Sequence, residues 1–230
     1  MLDGRPLIDA HQHPVRLPTV KPAWLDWAER YGQPGWREAY DSDGVIIPRA
    51  FDDLMRAEGV DHALVICEYS PKATGVQPAE DLLPLVRHNP GRFSLIANPG
   101  SSNELADPAL LIPVLRDFPG LTVVLAHGGR GWWYDTAASL ALLHENVWIE
   151  LSGLPPHRLP HYYARFDLRR LARKFIFGTD WPGVPGIARN ARALAALDLG
   201  EDVLAGVLAG NAVSVYPGLA NVLQRLDVTP

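Results

Sequence analysis

The stretch Pro6-Leu7-Ile8-Asp9-Ala10-His11-Gln12-His13-Pro14 carries the pattern from which the fold can be read. A short apolar run stops abruptly at a polar, chemistry-bearing cluster, and the same event recurs along the chain. Runs rich in Val, Ile, Leu or Phe lie at 6–10, 63–67, 93–97, 122–126, 147–151 and 175–177. Continuous apolar runs bounded by turn residues predict buried strands of a parallel sheet covered on both faces. They end in His11-Gln12-His13, Glu68-Tyr69-Ser70, Asn98-Pro99-Gly100, His127-Gly128-Gly129, Ser152-Gly153 and Gly178-Thr179-Asp180. Polar residues at the carboxyl ends of many different strands are the signature of a closed βα barrel. An open doubly wound sheet would gather them at one switch point.

Helical patterns fill the intervals, so strand and helix alternate as in an α/β fold. They lie at 23–31, 48–58, 109–118, 136–145, 167–174, 188–197 and 202–209. Asp107-Pro108 is read as a cap followed by proline at the first helical position, Asp135 as the cap of the helix at 136–145, and Gly59 as a stop. With no linker and no repeat, residues 1–230 are read as one domain, an α/β, TIM-type (β/α) barrel. Six strands are legible where such a barrel has eight. The long connection at 14–47, with Trp24, Trp27, Tyr31 and Trp36, reads equally as a lid or as a patch packed on the barrel rim.

Composition narrows the partners. The net charge of −5, with no basic run, leaves no electrostatic footprint for nucleic acid or an anionic membrane. No apolar run approaches the roughly 20 residues of a membrane helix. The one cysteine, Cys67, allows no intrachain disulfide, and the amino terminus lacks a signal-peptide pattern. The expectation is a cytoplasmic protein acting on a small molecule, free to form a homo-oligomer.

His11 and His13 point the chemistry. Side chains two apart on a strand share a face, so both imidazoles can converge on one ion such as Zn²⁺. Asp180, after its own apolar run, is the natural third ligand, and it can also accept a proton from water that a metal has acidified. Alone it would read as a turn cap. His127, followed by two glycines that permit close backbone approach, reads as a general acid–base or as a second metal ligand. Glu68 reads either as a pocket residue or as half of a loop salt bridge. Arg130, with Trp132 and Trp133, can clamp a substrate carboxylate and ring or simply pack. Trp181 is a further substrate contact, whereas His62, His88 and His144 read as structural.

Together, His11-Gln12-His13-Pro14, Ala126-His127-Gly128-Gly129, Glu150-Leu151-Ser152-Gly153, Phe177-Gly178-Thr179-Asp180-Trp181-Pro182 and Gly210-Asn211-Ala212 resemble the amidohydrolase-related metal-dependent hydrolases. That group includes aminocarboxymuconate semialdehyde decarboxylase and the dicarboxylate lactonases. The resemblance implies a distorted (β/α)₈ barrel with Zn²⁺ or another divalent ion such as Mn²⁺. It makes His11 and His13 first-strand ligands, His127 the sixth-strand histidine and Asp180 the eighth-strand aspartate. It also exposes a departure. About two βα units of the family, and with them its further metal-binding histidine, have no counterpart between the runs at 93–97 and 122–126; either those units are missing or the barrel closes differently. His157 or His161 is then a candidate for the fourth position. The resemblance implies a hydrolase for a small ester, lactone or amide. Non-oxidative decarboxylation of an unsaturated acid is the alternative on the same scaffold, and an inactive, oligomerising remnant is the alternative outside it.

Overall fold

The computed structural model of the chain describes residues 1–72, 74–96 and 107–225. These residues pack as two compact units, the first formed by 1–96 and 179–190, the second by 107–178 and 191–225. The cluster Asn98-Pro99-Gly100 and residues 101–106 lie outside the described residues.

In the first unit, β1 (Ile8–Gln12), β2 (His62–Ile66) and β5 (Phe93–Ile96) form a parallel sheet in the order β1-β2-β5. A small antiparallel ribbon, β3 (Tyr69–Ser70) with β4 (Gly75–Val76), follows β2. All five residues of β1 are buried, which explains its unbroken apolar reading. Its register slips by one residue against β2, from Asp9↔Ala63 to Gln12↔Val65. The slip is a bulge at the point where the two histidines begin, and bulges re-aim side chains. It also carries the strand to Gln12, two residues past the end expected from the apolar run. The helix Pro48–Ala57 opens on proline and buries Phe51, Asp52 and Met55 along one face. Gly59, at φ +75°, ends it. Buried Asp52 is held by Arg92 at 2.7 Å, with His88 at 3.6 Å. His62 is buried between the Gly91 carbonyl and the Ser94 hydroxyl, each at 3.0 Å. Both histidines therefore have the structural places expected of them.

The long connection after β1 carries the helix Pro22–Tyr31 and a chain of aromatic contacts. Trp24 meets Trp36, Trp36 meets Tyr40, and Tyr40 stacks on Trp181 at 6.4 Å and 7°. Trp24, Trp36, Tyr40 and Trp181 are all buried. The segment is thus packed through these aromatic side chains, while Tyr31 stays exposed.

In the second unit, β6 (Val123–Leu125), β7 (Val147–Glu150) and β8 (Phe175–Ile176) form another parallel sheet, in the order β6-β7-β8. The helix Tyr134–Leu143 joins β6 to β7. It starts earlier than Asp135 predicts, with Trp133 at its cap. The Asp135 carboxylate lies in the first turn and pairs with Arg165 at 2.9 Å instead. Asp107 and Asp167 do cap, accepting from the amides of Ala109 and Arg170. The expected helix at 109–118 begins as a 3₁₀ turn, Pro108–Leu111, because Pro113 disrupts one continuous ladder. After β8, the Asn211 side chain donates to the Phe175 carbonyl at 2.7 Å and completes the strand's backbone pairing. The six principal strands expected from sequence are thus all present, as two three-stranded parallel sheets among the described residues.

Candidate active site

The end of β1 is laced to the segment Thr179–Trp181 by main-chain bonds. Asp180 N–H donates to the His11 carbonyl at 2.9 Å, and His13 N–H donates to the Trp181 carbonyl at 2.8 Å. Asp9 ties the same two segments through its side chain. Wholly buried, it accepts from the amides of His11 (3.2 Å) and Thr179 (3.0 Å), from the Gln12 amide group (2.8 Å) and from the Thr179 hydroxyl (2.5 Å). A buried carboxylate is tolerated where hydrogen bonds surround it, and Asp9 has four.

This lacing brings the expected ligands together. His11 Nε2 and His13 Nε2 are 2.9 Å apart, and Asp180 Oδ1 lies 3.9 and 3.6 Å from them. His11, His13 and Asp180 form a group whose ligand atoms all fall within 4.8 Å of one another. Bonds of about 2.0–2.2 Å to a divalent ion allow donors up to roughly 4.2 Å apart, so the three donors fit one ion. Their chemistry fits as well. His13 Nδ1 faces the Ile66 carbonyl at 3.2 Å, an acceptor only, so its proton sits there and Nε2 keeps a lone pair for a metal. Asp180 adopts φ +68°, a left-handed conformation that aspartate reaches more readily than most residues with a side chain.

Glu68 joins this cluster. Its Oε2 lies 3.9 Å from His13 Nδ1, and its Oε1 accepts from the Thr74 hydroxyl at 2.6 Å. Burial pushes its carboxyl above the ordinary range against the pull of that hydrogen bond; Asp180 adds to the rise and His11 opposes it. Glu68 is thus buried, with His13 and Thr74 beside its carboxylate. Trp181 follows Asp180, fully buried against Tyr40 and Phe51.

His127 and Arg130 belong to the second unit. His127 lies in the tight turn Ala126–Gly129 after β6, at φ +59°, Gly128 follows at φ +54°, and the buried Tyr163 hydroxyl donates to the Gly128 carbonyl at 2.8 Å. His127 Nδ1 lies 2.8 Å from Ser152 Oγ and 3.0 Å from the Ser152 carbonyl. The Ser152 hydroxyl in turn donates to Glu150 at 2.6 Å. Arg130 and Trp132 are exposed. So are His157 and His161, the candidates for a fourth ligand, and the group of potential ligands among the described residues contains neither.

The family model for amidohydrolases matches residues 83–218, more than half of the chain. The chain belongs to the amidohydrolase family. Solved structures agree with this amidohydrolase at the level of fold. An uncharacterised TIM-barrel protein from Bordetella bronchiseptica is 16% identical, with a TM-score of 0.69, over 93% of this chain and 99% of that one. An amidohydrolase from Burkholderia multivorans with bound zinc is 16% identical, with a TM-score of 0.55, over 92% and 99%. A 5-carboxyvanillate decarboxylase from Novosphingobium aromaticivorans, complexed with manganese and 4-hydroxy-3-methoxy-5-nitrobenzoic acid, is 12% identical, with a TM-score of 0.57, over 92% and 96%. Among curated proteins, none matches the sequence. No helix among the amidohydrolase's described residues is long and apolar enough to cross a membrane.

Sequence reasoning missed Asp9 and Thr179 as the clasp behind the ligands, and Ser152 and Glu150 as partners of His127. A signal existed for each. Asp9 is a carboxylate inside an apolar run, and Glu150 and Ser152 interrupt the end of another.

Proposed function

We propose that this amidohydrolase is a divalent-metal-dependent hydrolase of small esters, lactones or amides. His11, His13 and Asp180 hold the ion, and His127 transfers the proton. The observation that carries the reading is the convergence of two imidazoles and one carboxylate within 4.8 Å. A Zn²⁺ or Mn²⁺ ion bound there would acidify water and polarise a substrate carbonyl. Asp9 holds the His11 backbone and Thr179 in register, so the ligands come from rigidly joined segments. Glu68, beside His13, and Arg130, exposed in the second unit, are our candidates for substrate contacts; Trp181, expected from sequence to be a third, has no exposed surface and packs against Tyr40 and Phe51 instead. The manganese-bound decarboxylase of similar fold supports the alternative chemistry, non-oxidative decarboxylation of a small unsaturated acid, with the same ligands.

The architecture we propose is a distorted TIM-type barrel of one domain, lacking about two βα units between β5 and β6. Six principal strands among the described residues support it. β5 and β6 each end their sheet there, and such edges favour association with a second copy of the chain. The single cysteine favours a cytoplasmic protein.

Metal content of the purified protein, measured by mass spectrometry beside a His11→Ala/His13→Ala variant, tests the reading. Near-stoichiometric Zn²⁺ or Mn²⁺ that the variant loses is the expected result. His127→Asn should then keep the metal and lose about 10²–10⁴-fold in kcat on whichever lactone, ester or acid is turned over. A folded wild type that takes up neither ion overturns the proposal and leaves a binding or oligomerising domain.

A further inference from the structure

Behind His127 lies a buried hydrogen-bonded chain. Glu150 is 1% exposed and Ser152 fully buried, so water does not compete for either. The Glu150 carboxylate clasps residue 152 from two sides. Oε1 accepts from the Ser152 amide and Oε2 from the Ser152 hydroxyl, both at 2.6 Å. With its one proton turned to Glu150, Ser152 Oγ presents lone pairs to His127 Nδ1 at 2.8 Å. The Ser152 carbonyl, 3.0 Å from the same nitrogen, can only accept. Both of these groups therefore call for a proton on Nδ1.

We infer that Glu150 and Ser152 are positioning residues that lock the neutral His127 imidazole in its Nδ1–H tautomer, making Nε2 the atom that takes up and returns the proton. The inference rests on the reading of His127 as the proton-transfer residue. Gaining a proton at Nε2 gives an imidazolium that keeps its Nδ1–H directed at Ser152, so no rearrangement accompanies the transfer. Losing it from Nε2 restores the starting tautomer. Ser152 is not a nucleophile in this arrangement, because its hydroxyl is enclosed and its proton is committed to Glu150. The left-handed backbone at His127 and Gly128, pinned by Tyr163, keeps the ring over Ser152. A methyl group on Gly128 would lie 2.3 Å from the Tyr163 hydroxyl, so this seat has no slack.

Long-range ¹H–¹⁵N spectra of the full chain, labelled at histidine, read the tautomer directly, with His127→Asn identifying the signal. The wild type is expected to show a protonated Nδ1 and an unprotonated Nε2. In Glu150→Gln, the new amide can donate to Ser152 Oγ and turn the hydroxyl proton toward Nδ1. The population should then move toward Nε2–H, with kcat falling by at least about tenfold; an amide in place of an orienting carboxylate costs up to ~10⁴ in a Ser–His–Asp site. Ser152→Ala should mix the tautomers, and Ser152→Thr should restore the wild-type spectrum and rate. An Nε2–H wild type overturns the lock, as do unchanged populations in folded Glu150→Gln and Ser152→Ala. If the tautomer is as inferred but His127→Asn retains turnover, the lock stands and the proton-transfer reading falls. If His127→Asn is inactive but the tautomer is Nε2–H, only the lock falls.

Discussion

Asp9 shows how much one residue can hold. It is wholly buried and accepts four hydrogen bonds, two of them from a residue 170 positions away. Removing it leaves several buried donors without a partner, each costing about 1–3 kcal/mol. Asp9→Ala is expected to lower stability by upward of about 3 kcal/mol and to abolish metal uptake, read by denaturant unfolding and metal analysis. Asp9→Asn keeps part of the network and should fall between. Glu68 acts in the opposite sense. Its carboxyl titrates above the ordinary 4.5, chiefly because burial disfavours the charge. A group with a raised folded pKa stabilises the fold most below its unfolded pKa, and that contribution is lost as pH rises through the folded value. In metal-free protein, Glu68→Gln should therefore raise Tm at neutral pH and flatten the decline in stability above pH 4.5. An unchanged pH profile would count against a buried, titrating Glu68.

At the scale of elements, capping decides boundaries that periodicity leaves loose. Asp167 accepts from the Arg170 amide at 2.7 Å and starts a helix of only five residues, Leu168–Ala172. So short a helix has little intrinsic stability. Asp167→Ala should cost about 1 kcal/mol, measured by equilibrium unfolding. Asp135 offered the same chemical signal, yet its carboxylate found Arg165, and Asp135→Ala should cost less. Sequence alone could not separate the two, because a cap depends on where the backbone turns and which partner lies across space. The strands were legible for the converse reason. Burial on both faces forces a continuous apolar run, whatever the neighbours are. The bulge in β1 left no such trace, since it arises from pairing with β2.

For the whole molecule, the proposed ligand set joins residues near the amino terminus to residue 180, so an ion bound there closes a long loop of chain. Free metal at a hundredfold excess over its Kd should add about 2.7 kcal/mol of stability, or ~5–10 °C in Tm for a chain of this size. Thermal melts with Zn²⁺, with Mn²⁺ and with a chelator check this. The His11→Ala/His13→Ala variant should show no shift.

The division between sequence and tertiary structure follows from range. Apolar runs, the spacing His11-Gln12-His13 and the ordered motifs depend on residues close together in the chain, and these determined the α/β class, the family and the candidate ligands. Whether the ligands meet, which carboxylate backs them and which nitrogen of His127 holds its proton depend on groups brought together from afar. Thr179 reaches Asp9, Glu68 reaches His13 and Ser152 reaches His127 only once the strands have paired. Hydrogen bonds of this kind are set by ångström distances, which one chain's order of residues does not contain. Tertiary structure alone decided them.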